Sequence, residues 1–313
     1  MRNFILRRIL RFCDVGTLLL TLRPVSREVR VLVERELRAR LRRIVRSFTS
    51  NAEEFIQRVM RRHHIVIGGS AALRFLHPEI PAEGDYDLYL PSRELDSVLA
   101  YLQLFEGFSI VSVQRPTRPP SSCLSSYRDH ALEYTAGVAC IVKIVRHKTF
   151  VDLICSGPDD VSITPILPLV CSWSSLTMNY LSSDTICCAY PTLTLRKCGL
   201  VQWDCVLHPS FPEGSDPVAL NKYCSWGFEI CQYAHEWDED RAGRVRPCRR
   251  SWLCPLRERY IGDQGCLCFP FEAGGTLVGK GTVWCLGGNP CPYDCIEPMP
   301  VPPYYHSPSC NCA

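Results

Sequence analysis

The stretch 65–90, IVIGGSAALRFLHPEIPAEGDYDLYL, places the strongest constraint on the fold, because an apolar strand, a glycine pair and an acidic strand follow one another within it. The β-branched run IVI is typical of a buried strand, which ends at Gly68-Gly69. Ser70 then precedes the helix-forming AALRFL, so the sequence predicts a helix with Ser70 as its N-cap. Glycines allow a ligand close to the backbone, and the first helical turn presents unpaired N–H groups. The junction is therefore suited to binding a phosphate.

Two carboxylates alternate in the next segment, DYDLYL. In a strand, the period of two places Asp85 and Asp87 on one face, about 7 Å apart at their Cα atoms. Hard oxygen ligands of this kind hold a Mg²⁺ ion whose coordination is completed by water and the phosphates of a nucleoside triphosphate. A third acid, Asp152, lies in the apolar segment TFVDLI, where an unpaired charge is expensive to bury. We therefore expect its strand to lie beside the first acidic strand.

The ordered set hhGGS, DxDh and hDh resembles the nucleotidyltransferase superfamily typified by DNA polymerase beta, over about residues 63–155. The resemblance implies an α+β fold with a mixed sheet flanked by helices. It implies six functional positions: Gly68, Gly69 and Ser70 for the nucleotide, and Asp85, Asp87 and Asp152 for catalysis. The first two acids would hold two Mg²⁺ ions, and the third would activate the acceptor hydroxyl.

The activity implied by this resemblance is Mg²⁺-dependent transfer of a nucleotidyl group from an NTP to a hydroxyl acceptor of unknown identity, or nucleotide binding by a degenerate site. The alternative interpretation is a plain strand-to-helix turn followed by a solvated acidic edge. A lone Gly-Gly-Ser or Asp-x-Asp is common, so the order of the three motifs carries the functional hypothesis.

Residues 3–46 contain three helical segments, and the last of them, at 25–46, is a longer amphipathic helix. The order of their apolar anchors is similar to an F-box, the helical module that binds the adaptor Skp1 in ubiquitin ligases. The matching positions are Ile9, Leu10, Leu18, Leu20, Leu22, Val25, Ser26 and Val29. The usual Leu-Pro opening is absent, and Val29 replaces a common tryptophan. The resemblance implies an adaptor that recognises a client without catalysis, whereas the alternative is a helical hairpin that packs on the following domain.

Charge is distributed unevenly, because residues 1–62 carry 16 arginines and 6 acidic residues, a net charge of +10. An arginine-rich helix face that docks on an acidic body explains this charge, and a surface for nucleic acid or an acidic partner is the alternative. The chain has no run of about 18 apolar residues, and its first residues lack a secretory h-region. We therefore expect no membrane span and a cytoplasmic or nuclear protein whose cysteines are reduced or bind metal.

The sequence divides into a helical module at 1–48, a nucleotidyltransferase-like domain at 49–200 and a Cys/Pro-rich, irregular extension at 201–313. Within the middle domain, the pattern predicts a hairpin that turns at residues 146–148 and a helix from Thr164 to Leu181.

Eleven of the 20 cysteines lie in the extension, after residue 223. Seven soft ligands there are enough for one or two tetrahedral Zn²⁺ sites: Cys224, Cys231, His235, Cys248, Cys254, Cys266 and Cys268. Zinc would stabilise a segment with few apolar residues. Their spacings match no standard zinc finger, and scattered reduced cysteines are the alternative.

Overall fold

The centre of the fold is an eight-stranded mixed sheet. The computed structural model describes residues 2–115, 137–157, 164–202, 216–234, 251–255, 257–271 and 274–286. The strands are β1 (Val66–Ile67), β2 (Asp85–Pro91), β3 (Ser109–Gln114), β4 (Val138–Arg146), β5 (Thr149–Ser156), β6 (Asn179–Leu181), β7 (Thr185–Cys188), β8 (Cys198–Leu200), β9 (Glu229–Cys231), β10 (Arg259–Tyr260), β11 (Leu267–Pro270) and β12 (Val283–Trp284). The large sheet has the order β11-β7-β6-β1-β2-β5-β4-β3, and β8–β9 and β10–β12 form two separate pairs.

Helices surround this sheet in the described part of the chain. They are α1 (Arg2–Leu10), α2 (Arg27–Arg46), α3 (Ala52–Glu54), α4 (Gly69–Leu76), α5 (Leu95–Glu106), α6 (Leu167–Val170), α7 (Pro191–Thr194) and α8 (Asp216–Ser225). Two π-helical segments, Thr17–Leu22 and Phe55–Met60, and one 3₁₀ turn, Ser92–Glu94, connect them. The expected α+β class is therefore confirmed, and so are the three helical segments of the amino-terminal module.

Strand β2 shows the period of two that its sequence predicts. Tyr86, Leu88 and Leu90 are buried in the core, whereas Asp85 is exposed and Asp87 is half-buried on the other face. In the large sheet, β2 and β5 form the parallel pair, and β4 and β5 form the antiparallel hairpin that the pattern predicts. The acidic strand thus lies near the middle of the sheet, with its apolar face fixed in the core.

The predicted helix from Thr164 to Leu181 is wrong. The structure has one helical turn, α6, and then the strand β6. Pro168 lies at the start of that turn, where the missing N–H is harmless, but the chain does not continue as a helix. Residues 179–181 are all buried between β1 and β7, and this tertiary pairing overrides the local pattern.

The amino-terminal module shares one hydrophobic core with the sheet, to which Leu18, Leu37 and Leu88 all belong. Arg40 in α2 is buried and donates hydrogen bonds to the carbonyl oxygens of Leu10 (2.8 Å) and Phe75 (3.1 Å). These bonds connect α1, α2 and α4. The module is therefore a packed part of the fold in addition to any role in binding a partner.

The segment 201–313 also contributes to the large sheet, because β11 pairs with β7 along its outer edge. Arg259 at the start of β10 is buried and forms an ion pair with Asp263 through two bonds of 2.6 and 2.8 Å. Among the described residues, no helix has both the length and the apolar character to cross a membrane.

Candidate functional site

Three carboxylates lie on neighbouring strands of the large sheet. In the parallel register of β2 and β5, Asp87 lies directly opposite Asp152, and Asp85 is two residues earlier on the same face as Asp87. The expectation that the third acid would lie on a neighbouring strand is thus confirmed. Because side chains at paired positions of adjacent strands point to the same face, all three carboxylates lie on one side of the sheet.

The glycine pair folds tightly against the acidic strand. Gly68 N–H donates to the Asp87 carbonyl oxygen at 3.0 Å, which ties the end of β1 to the acidic strand. Gly69 has a left-handed φ of +56°, and a Cβ atom there would collide with Asp87 Oδ2. Only glycine suits this position, because it accepts the backbone angle and leaves the carboxylate its space.

Helix α4 begins earlier than the sequence predicts. Its N-cap is Gly68, whose carbonyl oxygen accepts the first helical bond from Ala72 N–H at 3.2 Å. Ser70 therefore lies in the first turn and is not the N-cap, because the helix already begins at Gly69. Ser70 is half-buried at the positive end of the helix dipole, in a helix that contacts the acidic strand.

The carboxylates repel one another and are short of favourable partners. Burial raises the pKa of Asp87 to about 7, and the charges of Asp85 and Asp152 add to this effect. Burial also raises the pKa of Asp152, although Lys143 opposes the shift through an ion pair of 3.4 Å. Lys222 on α8 opposes the shift at Asp87 while it forms an ion pair with Glu83. The described residues thus provide only partial compensation for three nearby acids.

A divalent cation fits this chemistry. Asp152 Oδ1 is buried and has no hydrogen-bond partner among the described residues, so an acceptor oxygen is left unsatisfied. Within the described ranges, no set of three or more His, Cys, Asp or Glu side chains is arranged to hold a metal ion by itself. Mg²⁺ does not need such a cage, because it is often bound by one or two carboxylates together with water and the substrate's phosphates. Asp85 and Asp87 are suitable donors for that mode.

The predicted zinc ligands lie in different places. Cys224 on α8 is exposed, Cys231 is half-buried in β9 and Cys254 is buried. His235 and Cys248 lie outside the described residues. The structure brings the remaining two, Cys266 and Cys268, together with Cys187 of β7. Hydrogen bonds from Cys187 and Cys266 lower the pKa of the Cys268 thiol.

The positions that resemble an F-box differ in their exposure to solvent. Leu10 and Leu18 are fully buried, whereas Ile9, Leu20 and Val25 are exposed. The other members have structural roles: Ser26 caps α2 by accepting from Val29 N–H at 3.2 Å, and Leu22 packs against the core.

Two relevant residues were missed by sequence reasoning. Lys222 lies more than 130 residues after the acidic strand, and Cys187 precedes the Cys-rich extension. The signal for Cys187 was its place in a short apolar β-branched segment, which predicts a strand but not which strand pairs with it. No local signal places Lys222 beside Asp87.

Comparisons with known proteins return no family. No family model, no curated protein and no solved structure matches the chain. The function proposed below therefore rests on the residues and contacts of this chain itself.

Proposed function

We propose that this protein is a nucleotidyltransferase-like enzyme that transfers a nucleotidyl group from an NTP to a hydroxyl acceptor in a Mg²⁺-dependent reaction. The observation that carries the proposal is the pairing of Asp87 with Asp152 on adjacent parallel strands, with Asp85 on the same face. The glycine turn that leads into α4 lies directly against this acidic face. A phosphate-binding turn and a carboxylate cluster are the two parts that such a reaction requires.

The unsatisfied charge of the site supports the same proposal. Three acids that make one direct ion pair within the described residues are unfavourable for folding, and such an arrangement is typical of sites selected for binding. Asp85 and Asp87 would hold Mg²⁺, which neutralises phosphate charge and orients the triphosphate when bound. The raised pKa of Asp87 means that ion binding competes with protonation near neutral pH.

Residues of this chain would bind the phosphates, accept the proton and attract the substrate. Backbone N–H groups at the start of α4 and the Ser70 hydroxyl would donate hydrogen bonds to phosphate oxygens. Asp152 would accept the proton of the attacking hydroxyl, because its raised pKa and its unpaired Oδ1 suit a general base. Lys143, half-exposed beside Asp152, would attract the negatively charged substrate.

Calorimetric titration of ATP, GTP, CTP and UTP, with and without Mg²⁺, tests the proposal. Wild type should bind at least one nucleotide only with Mg²⁺, and the Asp85→Asn/Asp87→Asn double variant should lose that binding. Asp96→Asn is the matched control, since Asp96 is an exposed carboxyl on α5 and not a member of the three-acid cluster. A folded wild type that binds no NTP, or a double variant that binds as wild type does, would refute the assignment.

A second candidate function is an F-box-type adaptor, which we infer from the apolar surface of the amino-terminal module. Phe12, Leu20 and Val25 of this one module are 81%, 69% and 67% exposed, and exposed large apolar side chains are a common feature of protein-interaction sites. Skp1 would bind this surface, and the nucleotidyltransferase-like body would recognise a client protein. The two functions are compatible within one chain.

Measurement of binding to purified Skp1 tests the adaptor function. Phe12→Asp/Leu20→Asp should abolish binding without unfolding the chain, because both side chains are exposed. Leu18 is unsuitable for this test, because a charge at a fully buried position would disrupt the core. Leu104→Asp is the control, since Leu104 is 78% exposed on α5 outside this module. No Skp1 binding by folded wild type, or equal loss in both variants, would remove the candidate.

A further inference from the structure

We propose that Cys187 and Cys268 are a reversible oxidation site, at which a hydroperoxide converts the two thiols into a disulfide that joins β7 to β11. The two residues lie directly opposite each other in the antiparallel register of these strands. Their Sγ atoms are 3.3 Å apart. They are 81 residues apart in the sequence, so the fold alone creates the pair.

The strand geometry permits the bond. Directly opposed residues of an antiparallel pair have Cα atoms about 4.5–5.5 Å apart, and disulfides form across about 4.4–6.8 Å. A side-chain rotation that shortens the present separation between the sulfur atoms to about 2.05 Å is therefore sufficient. No displacement of either strand is required.

A third thiol, Cys266, lies beside the pair. Cys266 precedes Cys268 by two residues and hydrogen-bonds to it, and Cys187 contacts both. Arg259 Nη2 lies 3.4 Å from Cys266 Sγ and adds a positive charge to the cluster. Cys268 is partly exposed whereas Cys187 is fully buried, so of the two paired thiols Cys268 is the one that an oxidant in solution reaches first.

The chemistry proceeds in two balanced steps. The Cys268 thiolate attacks a peroxide oxygen of hydrogen peroxide, the O–O bond breaks, and a sulfenic acid and hydroxide form. The Cys187 thiol then attacks the sulfenic sulfur, which forms the S–S bond and releases water. In total, two thiols lose two electrons and two protons, and one peroxide becomes two water molecules. A thiol such as glutathione reverses the bond by exchange.

The disulfide would affect one edge of the large sheet. Strand β11 belongs to the segment after residue 201 and joins this sheet through its pairing with β7. A covalent bond across that pairing would prevent the edge strand from separating. Oxidation would therefore protect the adjoining segment from proteolysis, because cleavage in such places requires local opening.

Peptide mapping by mass spectrometry tests the proposal on the full chain. The protein is exposed to a small excess of hydrogen peroxide, free thiols are alkylated, and trypsin is added. The expected product joins peptides 149–196 and 260–280, with the loss of two hydrogens, and it separates on reduction. Cys187→Ser and Cys268→Ser should each abolish this product.

Cys188→Ser is the matched control. Cys188 is the next residue of β7, it is equally buried, and it packs in the core on the opposite face of the sheet. The linked product should persist in this variant at the wild-type level. Absence of the link in oxidised, folded wild type would overturn the proposal, and so would its persistence in Cys187→Ser. Zinc retained by these thiols in the purified protein would overturn it as well.

Discussion

Replacing Asp87 with asparagine should stabilise the ion-free protein at neutral and alkaline pH. The side chain lies beside two other acids on a half-buried part of β2, and its pKa is raised from the ordinary value of 3.8 to about 7. Asparagine has nearly the same shape and carries no charge, so it removes the repulsion and most of the burial penalty. A residue that contributed only to folding would show the opposite effect when substituted.

The sign and size of this change in stability follow from the linkage between folding and protonation of Asp87. The folded state binds the Asp87 proton more tightly than the unfolded state, so the penalty is small below about pH 4, grows as pH rises, and is complete above about pH 7. A pKa that moves from 3.8 to about 7 corresponds to roughly 4 kcal/mol of unfolding free energy. This is an upper figure, because the residue as a whole is only half-buried and keeps some contact with solvent.

Urea denaturation of wild type and Asp87→Asn in the presence of a chelator is the appropriate assay. The variant should be more stable near pH 8 by up to roughly 4 kcal/mol, and about 2–3 kcal/mol of that difference should disappear near pH 5. Asp96→Asn, the exposed control, should show no comparable pH-dependent gain. Mg²⁺ should stabilise wild type but not Asp87→Asn. Equal stability of wild type and Asp87→Asn at both pH values would refute the electrostatic account of the site.

Further predictions concern the backbone and two buried arginines. Gly69→Ala should lower the free energy of unfolding by more than about 2 kcal/mol and abolish nucleotide binding. Gly107 also has a positive φ but is surrounded by open space, so Gly107→Ala should lower the free energy of unfolding by only about 1 kcal/mol in urea denaturation. Arg40→Met should destabilise the fold by about 3–5 kcal/mol in the same assay, because it leaves buried acceptors unpaired; a change under 1 kcal/mol would contradict this. Arg259→Lys should lower thermal stability by about 2 kcal/mol or more, since lysine cannot make both bonds to Asp263; an unchanged melting temperature would show that one bond suffices.

Local patterns predicted the acidic strand well and the segment after residue 164 poorly. The alternation in DYDLYL has a physical cause, because one face must enter the core, and Tyr86 and Leu88 do so. Residues 164–181 contain apolar side chains that fit either period, and the pairing of β6 with β1 and β7 decides between them. The position of the helix start was also missed, since a glycine pair can itself cap a helix when the chain turns tightly.

The sequence by itself determined the glycine turn, the two carboxylates on one face of β2, the β4–β5 hairpin and the helical character of the amino-terminal module. These features depend on periodicity and on residues close together in the chain. Only the tertiary structure decided that Asp152 lies opposite Asp87, that Lys222 lies near them, and that Cys187 meets Cys268. Strand register joins residues 65 and 81 positions apart, and the packing of α8 places Lys222 near an acid 135 positions earlier; no local pattern encodes which faces meet.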